Sequence, residues 1–501
     1  MSEQVEVVVV GSGAGGGVVA GELADRGRQV VLLETGPHLT APDFTRFEAK
    51  ATHELWWPVR LCRMRADGTE FLGMVAGRCV GGGTTINTKV AFRARDHDFD
   101  KWAAASRPVN GAGEPLGEED LAPCYERVER RLGVRPRDDW PPSVHTVKRG
   151  FDALGASLES VDAYTDTNCM KCGSCLQGCA TNAGKSTLNT YIHDAWATGR
   201  LDLRAGCTVR RVLVEERDGV LQATGVEYDD GTGETRTLRA DVVVVAAGAL
   251  STPGLLMRSG IPELAGDSPA ARQIGQNLGL HPARLVYGLF DERQYCDRVY
   301  PITAHCLDHQ RDEDGGFVVE ATTIQDPIGF ATTLVDEDGT PRWGQALVDA
   351  VDRFPYWLGL FVMANDENNA SVSLDETGQE VYAKETEDHE GERFEGALDF
   401  SREVLLAAGA DRVVWTGLLT THVQGSCRMG SDPAKSAVDS NCESHDVKRL
   451  FVGDGSVVPR TLSVNPSLTI MALATRLADH IHADAPGYLT SRPAVTAGRA
   501  G

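Results

Sequence analysis

Four cysteines stand close together near the middle of the chain, in the stretch NCMKCGSCLQGC. They are separated by two, two and three residues, which is the spacing of a bacterial ferredoxin run. Such short gaps let thiolates converge on one metal cluster. A zinc site usually takes two ligand pairs separated by a longer arm, so the spacing favours iron–sulfur over zinc. The candidate metal ligands are Cys169, Cys172, Cys175 and Cys179.

The match to a ferredoxin is incomplete. Ala180 stands where ferredoxins have proline, and no second cysteine run exists to share the fourth ligand. Three interpretations therefore stay open: an iron–sulfur cluster, a zinc site, and plain thiols that pack a lid. The GKST that follows is not read as a phosphate-binding loop, because Cys179 occupies the position of the required first glycine.

A glycine-rich turn near the N-terminus predicts a dinucleotide site. Gly11, Gly13 and Gly16 form G-x-G-x-x-G between the apolar run VEVVVV and a helical pattern. The first glycine allows a tight turn, the second lets the backbone approach a pyrophosphate, and the third allows close helix–strand packing. Glu34 ends the next strand, QVVLLE, where a carboxylate should accept hydrogen bonds from a ribose diol. The motif alone does not distinguish NAD from FAD.

Three later stretches favour FAD over NAD, because they resemble motifs of a known flavoprotein family. GRCVGGGTTINTKVAFRARDHDFDKW is similar to the flavin-ring loop of the glucose–methanol–choline (GMC) oxidoreductases, and GALSTPGLLMRSGI resembles their second signature. The third resemblance is to the C-terminal catalytic block of the family. It is carried by HVQGSCRMG and the later stretch LFVGDGSVVPRTLSVNPSLTIMALATRLADHI. The resemblance implies an α/β fold with an α+β second domain. A Rossmann-like FAD-binding domain would adjoin a substrate domain with a mainly antiparallel sheet.

The same resemblance implies contacts with FAD. The positions carried over are Arg78, Gly81, Gly82, Gly83 and Asn87 at the flavin and phosphates, Val209 at the adenine, and Asp454 and Gly455 at the ribityl chain and flavin ring. No histidine stands in CVGGGTT, where some members of the family attach FAD covalently. We therefore expect non-covalent FAD.

Two polar residues in the C-terminal block resemble the family's catalytic pair. His422 stands in the pattern H-x-x-G-x-C-x-M-G. A neutral histidine suits the base that takes the hydroxyl proton, while flavin N5 accepts the hydride. Asn465 opens NPSLTIMALATR, which resembles the sterol-oxidase branch. Its amide can orient the substrate oxygen but cannot act as a base. His281 also fits a family position, and there we expect a structural turn.

The motifs divide the chain into segments. The predicted segments are an FAD-binding domain at 1–281 with a lid and cysteine-rich insert at about 95–185, a substrate domain at 282–412, a segment at 413–484 that completes the FAD site and catalytic pair, and a disordered tail at 485–501. KETEDHEGERFEG, within the substrate domain, is interpreted as an acidic, solvated loop rather than a metal cluster. Trp56 and Trp57 belong either to an entrance lid or to ordinary aromatic packing.

Composition limits the class of partner and the compartment. The chain has 501 residues and a formal net charge of -23, which argues against binding to nucleic acid phosphates. No segment is predicted to span a membrane, and the N-terminal sequence lacks the pattern of a signal peptide. We therefore expect a cytoplasmic protein, in which the 12 cysteines do not form a disulfide framework.

These features predict an enzyme that oxidises an alcohol to a carbonyl by base-assisted hydride transfer to FAD. The expected substrate is a polyol, a sugar, an amino sugar or a sterol-like alcohol, and the final acceptor is oxygen or an electron carrier. Two alternatives stay open: an iron–sulfur flavoprotein that relays electrons between protein partners, and an inactive flavin fold kept as a binding module. A relay needs no base, so the pair His422 and Asn465 argues against the first alternative.

Overall fold

The structure is a computed structural model that describes residues 3–64, 70–296, 299–322, 327–335 and 340–489. The strands are β1 (Glu3–Val10), β2 (Val30–Glu34), β3 (Arg60–Arg63), β4 (Phe71–Met74), β5 (Arg135–Pro136), β6 (Glu159–Ser160), β7 (Asp162–Ala163), β8 (Leu201–Ala205), β9 (Thr208–Arg217), β10 (Val220–Asp229), β11 (Thr235–Val245), β12 (Ala283–Leu289), β13 (Ile302–Cys306), β14 (Phe317–Thr322), β15 (Leu334–Val335), β16 (Trp357–Ala364), β17 (Ala370–Leu374), β18 (Glu380–Lys384), β19 (Arg412–Thr416), β20 (Leu419–Thr420) and β21 (Leu450–Val452). The α-helices are α1 (Gly16–Asp25), α2 (Glu48–Leu55), α3 (Asp96–Ala105), α4 (Glu118–Leu132), α5 (Pro142–Ala153), α6 (His193–Ala197), α7 (Thr252–Arg258), α8 (Ile261–Ala265), α9 (Pro327–Thr333), α10 (Gln345–Asp352), α11 (Asp388–Ala407), α12 (Ser467–Ala483) and α13 (Ala485–Tyr488).

The first sheet is the predicted dinucleotide-binding sheet. Its strand order is β8-β2-β1-β11-β10-β9, and β21 pairs with β11. The pairs β1–β2, β1–β11, β2–β8 and β11–β21 are parallel, whereas β9, β10 and β11 form an antiparallel meander. The central strands are continuous apolar runs because both of their faces are buried. The carboxyl ends of β1, β2, β11 and β21 therefore meet at one edge.

The second sheet is mainly antiparallel, as predicted. Its strand order is β17-β18-β3-β4-β20-β12-β16-β14-β13-β6, and the pairs β18–β3 and β20–β4 are parallel exceptions. Helix α11 packs against one face, through β12, β14 and β16. Strands β3 and β4 come from inside the segment predicted as the FAD-binding domain, so the chain crosses between the two sheets more than once. The predicted segment limits stay a prediction.

The acidic stretch that the sequence suggested as a loop is largely a helix. Strand β18 ends at Lys384, and α11 begins at Asp388, so most of KETEDHEGERFEG forms the first turns of α11. Carboxylates near a helix N-terminus are stabilised by the helix dipole. Lys384, which is buried, also pairs with Asp366 at 3.2 Å and Glu390 at 2.8 Å, both buried. Local charge suggested a loop because it did not reveal this buried partner.

The first residues of the predicted C-terminal tail form a helix. Residues 485–488 form α13 instead of disordered chain. The ring of Tyr488 contacts that of Phe451 at 5.5 Å, and its carbonyl accepts a hydrogen bond from Arg449 at 3.0 Å. The rest of the predicted tail, from residue 490 onward, lies outside the described residues.

Among the described residues, no helix is both long and apolar enough to cross a membrane.

The ion group at Lys384 predicts a large effect on stability. Lys384→Met should lower the free energy of unfolding by about 3–5 kcal/mol, because it leaves two buried carboxylates without their cation. Lys148→Met is the matched control, since Lys148 forms an exposed pair with Asp152 and should change stability by about 0–1 kcal/mol. Urea denaturation of both variants measures the difference. Equal effects would show that the buried pair contributes no more than a surface pair.

Candidate active site

A cavity of about 1070 Å³ lies between the two sheets. The ends of β1 and β2 and the loop after β11 form one side, and β12 and β16 form the other. Ligand pockets commonly measure roughly 300–1,000 Å³, so this cavity has room for a large cofactor together with a substrate.

The glycine-rich turn forms the floor of the cavity. Gly11 has a φ of +95°, and a Cβ there would lie 2.2 Å from the carbonyl oxygen of Ala246. At Gly16 a Cβ would lie 2.0 Å from the carbonyl oxygen of Gly11, so this glycine serves the packing of α1. A Cβ at Gly13 would meet no protein atom within 4 Å, and Gly13 lines the cavity. Its missing side chain thus leaves open space where a ligand can approach the backbone.

Glu34 lies beside that turn and lines the cavity. Its Oε2 accepts hydrogen bonds from the backbone N–H of Ser12 at 3.1 Å and from the Ser12 hydroxyl at 2.6 Å. Its Oε1 accepts from the N–H of Gly36 at 2.8 Å. Burial raises the pKa of Glu34, and these hydrogen bonds oppose the rise. The carboxylate is therefore held in place at the end of β2, where the ribose contact is predicted. Val209, predicted at the adenine, lines the cavity nearby with Cys207.

Asp454 connects the C-terminal segment to the loop after β11. Its carboxylate accepts from the N–H of Gly248 at 2.8 Å, the hydroxyl of Thr252 at 2.5 Å and the N–H of Ser456 at 2.8 Å. Burial raises its pKa, opposed by these donors. Asp454 and Gly455 both line the cavity.

Some residues of the predicted flavin loop line the cavity, and others support the loop from behind. Gly82, Gly83 and Asn87 line the cavity. Gly81 has a φ of +90°, and a Cβ there would meet Thr85, so Gly81 serves the turn. Arg78 is not among the lining residues, and its guanidinium lies over the ring of Trp57, 5.5 Å from the centroid.

His422 lies on the opposite wall, two residues after β20. Its backbone N–H donates to the hydroxyl of Thr420 at 3.1 Å, and its carbonyl accepts from Gln424 at 3.1 Å. Within the described part of the chain, neither ring nitrogen has a hydrogen-bond partner, and the ring lines the cavity. Burial lowers the pKa of His422 to about 4. The imidazole is thus neutral at physiological pH and free to accept a proton.

Asn465 lines the same cavity and is almost fully buried. Its Oδ1 is buried without a hydrogen-bond partner. His281 is fully buried behind His422, with 5.3 Å between the ring centroids, and its backbone has a φ of +48°. Burial, together with His422, lowers the pKa of His281 well below its usual value. The structure thus places the ring of His281 against that of His422, at a residue whose backbone has a left-handed conformation.

An apolar wall near His422 was not identified from the sequence. The ring of Phe361 lies 6.3 Å from that of His422, and Leu285 pairs with Phe361 across the sheet. The apolar and aromatic side chains of this wall are Leu285, Tyr287, Ile302, Phe330, Phe361 and Leu419. Except for Leu419 on β20, they come from the segment without family motifs, where alternation along a strand shows two faces but not which one borders a cavity.

Residues at the cavity mouth connect α2 to α9. The carboxylate of Glu48 accepts hydrogen bonds from the backbone N–H groups of Ile328, at 2.9 Å, and Gly329. Trp56 and Trp57 line the cavity, and Arg60 lies over the Trp57 ring at 5.0 Å. The two tryptophans are therefore part of the cavity wall.

The four-cysteine segment covers the same side. Arg46 donates to the hydroxyl of Ser174 at 3.0 Å, and Trp56 donates to the carbonyl of Leu176 at 3.3 Å. Gly178 lies against the ring of Phe44. Leu176 and Gln177 line the cavity. The segment is thus built into the wall of the site.

The structure gives no support to the predicted iron–sulfur cluster. Cys175 is buried, Cys172 is exposed, and Cys169 and Cys179 are half-buried, all as free thiols. Burial raises the pKa of Cys175 to about 12. Among the described residues, no group of three or more His, Cys, Asp or Glu is arranged to hold a metal ion.

The glycine-rich turn at Gly11–Gly16 and the neutral ring of His422 line one cavity, which is the arrangement of a cofactor-dependent oxidoreductase. The GMC oxidoreductase family models match this chain, the N-terminal one over residues 5–283 and the C-terminal one over residues 362–474. The chain belongs to the GMC oxidoreductase family. The family and fold predicted from the sequence are therefore confirmed. FAD-dependent oxidation of a CH–OH group is also confirmed, at the level of the family.

Two relatives and one solved structure illustrate the similarity. A long-chain-alcohol oxidase of Arabidopsis thaliana is 28% identical over 523 residues, which cover 94% of this chain and 66% of that protein. An uncharacterized GMC-type oxidoreductase of Mycobacterium tuberculosis is 30% identical, over 97% of this chain and 77% of that protein. The crystal structure of pyridoxine 4-oxidase from Mesorbium loti superposes with a TM-score of 0.71 at 20% identity, over 96% of this chain and 99% of that one. This last likeness concerns the fold alone.

Substitutions in the glycine-rich turn at Gly11–Gly16 should affect folding and FAD content separately. Gly13→Ala should fold normally but lose most of its FAD, because the new Cβ occupies the open space over the turn. Gly16→Ala should fail to fold stably, because its Cβ meets backbone. Gly111→Ala, in an exposed loop with open space around it, is the control. Thermal melting measures the fold, and acid precipitation followed by absorbance measures released FAD. Normal FAD content in Gly13→Ala would contradict the predicted contact.

Proposed function

We propose that this protein oxidises the CH–OH group of an apolar alcohol to a carbonyl, with FAD held non-covalently. The observation that carries this proposal is the position of His422. Its unpaired, neutral ring lines the same cavity as the glycine turn at Gly11–Gly16. An inactive binding module would have no need of an unpaired base at this point, and a relay between proteins would have no need of the enclosed substrate space.

The chemistry requires the removal of two electrons and two protons from the alcohol. FAD, when bound, supplies the hydride acceptor. We assign His422 as the base, which takes the hydroxyl proton on a ring nitrogen. Asn465 orients the substrate oxygen through its amide, which can donate a hydrogen bond but cannot take the proton. Asn465 is almost fully buried and His422 is half-buried, so little water surrounds them and their interactions with the substrate are strengthened.

The proposed cofactor contacts follow the cavity wall. Gly13 and the N-terminus of α1 would face the pyrophosphate, and Glu34 would accept from the ribose. Gly82, Gly83, Asn87, Asp454 and Gly455 would line the flavin half, and Val209 the adenine half. The loop from Cys79 to Thr85 contains no histidine, which supports non-covalent attachment.

The apolar wall supports an apolar substrate. Leu285, Phe330, Phe361 and Leu419 offer no hydrogen bonds to a polyol or a sugar, whose hydroxyl groups would lose water without compensation. The similarity to long-chain-alcohol oxidases supports the same class. We place oxygen or an electron carrier as the final acceptor. A reducing compartment such as the cytosol is supported by the free thiols of all 12 cysteines.

Replacing the base should abolish the chemical step while leaving the cofactor bound. His422→Gln keeps a side chain of similar size but cannot accept the proton, so reduction of the flavin by alcohol should slow by about 10²–10⁴-fold. His193→Gln, at an exposed histidine, is the control. For the wild type, protonation of His422 near pH 4 should define the acid limb of kcat/KM, with activity retained above it. Stopped-flow absorbance measures the reduction. A loss of less than about tenfold would mean that another residue is the base.

The apolar wall predicts a dependence on chain length. For primary alkanols, kcat/KM should rise about fourfold for each added methylene that is buried, about 0.8 kcal/mol, until the cavity is filled. Leu285→Thr should reduce this gain, and Leu289→Thr on the same strand should not, because Leu289 does not line the cavity. Steady-state assays with a series of alkanols and polyols measure the trend. A preference for polyols would overturn the apolar assignment.

A further inference from the structure

A buried carboxyl group lies one row behind the cavity wall. Glu320 is on β14, where it pairs with Phe361 on β16 and with His305 on β13. Directly paired residues share one face of a sheet, so Glu320 lies on the face that carries Phe361 into the cavity. Glu320 is 1% exposed and is not itself a lining residue. It therefore lies too deep to touch the substrate.

Glu320 and Asn465 together leave three buried acceptors without a donor. In the part of the chain that the structure describes, both carboxyl oxygens of Glu320 and the Oδ1 of Asn465 have no hydrogen-bond partner of ordinary geometry. The Asn465 amide is nonetheless close enough to Glu320 to lower its pKa. Unpaired buried acceptors are unfavourable, so this cluster requires an additional proton.

Among the described residues, no cation lies where it would hold Glu320 as a carboxylate. Burial is the larger influence and raises its pKa to about 8. The titratable neighbours are His305 beside it on β13 and, across the cavity wall, His422 with His281 behind it. Burial lowers the pKa of His305 and of His422 to about 4, and burial together with His422 lowers the pKa of His281 well below its usual value, so all three are neutral. Phe361 on β16 carries no charge, and α11 packs on the opposite face of the sheet.

We propose that Glu320 is a positioning residue that acts as a neutral carboxylic acid, donating its O–H to the Oδ1 of Asn465. This hydrogen bond fixes the amide with its Nδ2 facing the cavity, where it donates to the substrate oxygen. The proposal rests on the orienting role proposed for Asn465. Ionised Glu320 would attract the Nδ2 instead and turn the amide round, so that an acceptor would face the substrate. The protonation of Glu320 thus controls which end of Asn465 meets the alcohol.

The test compares the pH dependence of two variants with the holoenzyme. In the wild type, flavin reduction by an alkanol should fall as pH rises through about 8, because Glu320 loses its proton there. Glu320→Gln keeps an N–H donor that cannot ionise, so it should retain activity and lose this alkaline limb. Glu320→Met has no donor and should lose on the order of 10²-fold in rate at every pH. Glu159→Gln, at the exposed glutamate that pairs with His305, should behave as the wild type.

Two further measurements do not depend on turnover. The infrared C=O stretch of a protonated carboxyl should be present in the wild type at pH 7, absent in Glu320→Gln, and lost from the wild type as pH rises through about 8. Because the folded state binds this proton more tightly than the unfolded state, wild-type stability should fall relative to Glu320→Gln between about pH 5 and 8.

Several outcomes would overturn the proposal. These are an alkaline limb that persists in Glu320→Gln, wild-type activity in Glu320→Met, or no carboxylic C=O signal at pH 7. If Glu320→Met does not fold, the proposal is still tested by the alkaline limb of the pH profile in Glu320→Gln and by the infrared C=O signal of the wild type. Failure of alcohols to reduce the flavin of the wild type would instead contradict the proposed function, which separates the two results.

Discussion

The site depends on a close approach of three backbone segments at the end of the first sheet. A Cβ at Gly15 would lie 1.7 Å from the carbonyl oxygen of Gly453, and one at Gly11 would lie 2.2 Å from that of Ala246. Only glycine allows the turn after β1 to contact the ends of β11 and β21 at this distance. That contact brings Asp454 to the cofactor end of the cavity, and with it the segment that carries Asn465.

Neutrality is the common property of the reaction half of the cavity. His422 and His281 both have lowered pKa values because they are buried, and the wall beside them is apolar. A charge that develops on a substrate oxygen in such surroundings is poorly screened, so the few oriented dipoles near it act strongly. At the cofactor end, the carboxylates of Glu34 and Asp454 are held by backbone and hydroxyl donors.

The sequence predicted those parts of the site that are encoded locally. The turn at Gly11–Gly16 and the carboxylate of Glu34 follow from a strand–turn–helix pattern within a few dozen residues. Glu320 was not found, because its position beside Asn465 arises from the register of β14 against β13 and β16, which are distant in the chain. The cysteine run was ambiguous for the same reason. Short spacing permits convergence, but contacts with Phe44 and Trp56 determine how the segment lies.

The order of the strands in the first sheet has a consequence for biosynthesis. Strand β21 pairs with the edge of β11 and is followed at once by Asp454, more than two hundred residues later in the chain than the meander it joins. The ribosome therefore synthesises the glycine turn and most of the first sheet long before it synthesises β21 and Asp454. The nascent chain passes through translation with an open groove, and capture of the nucleotide becomes a late event in maturation. Chains that end before β21 also lack Asp454 and Gly455, so the wall of the cavity is complete only when translation is nearly finished.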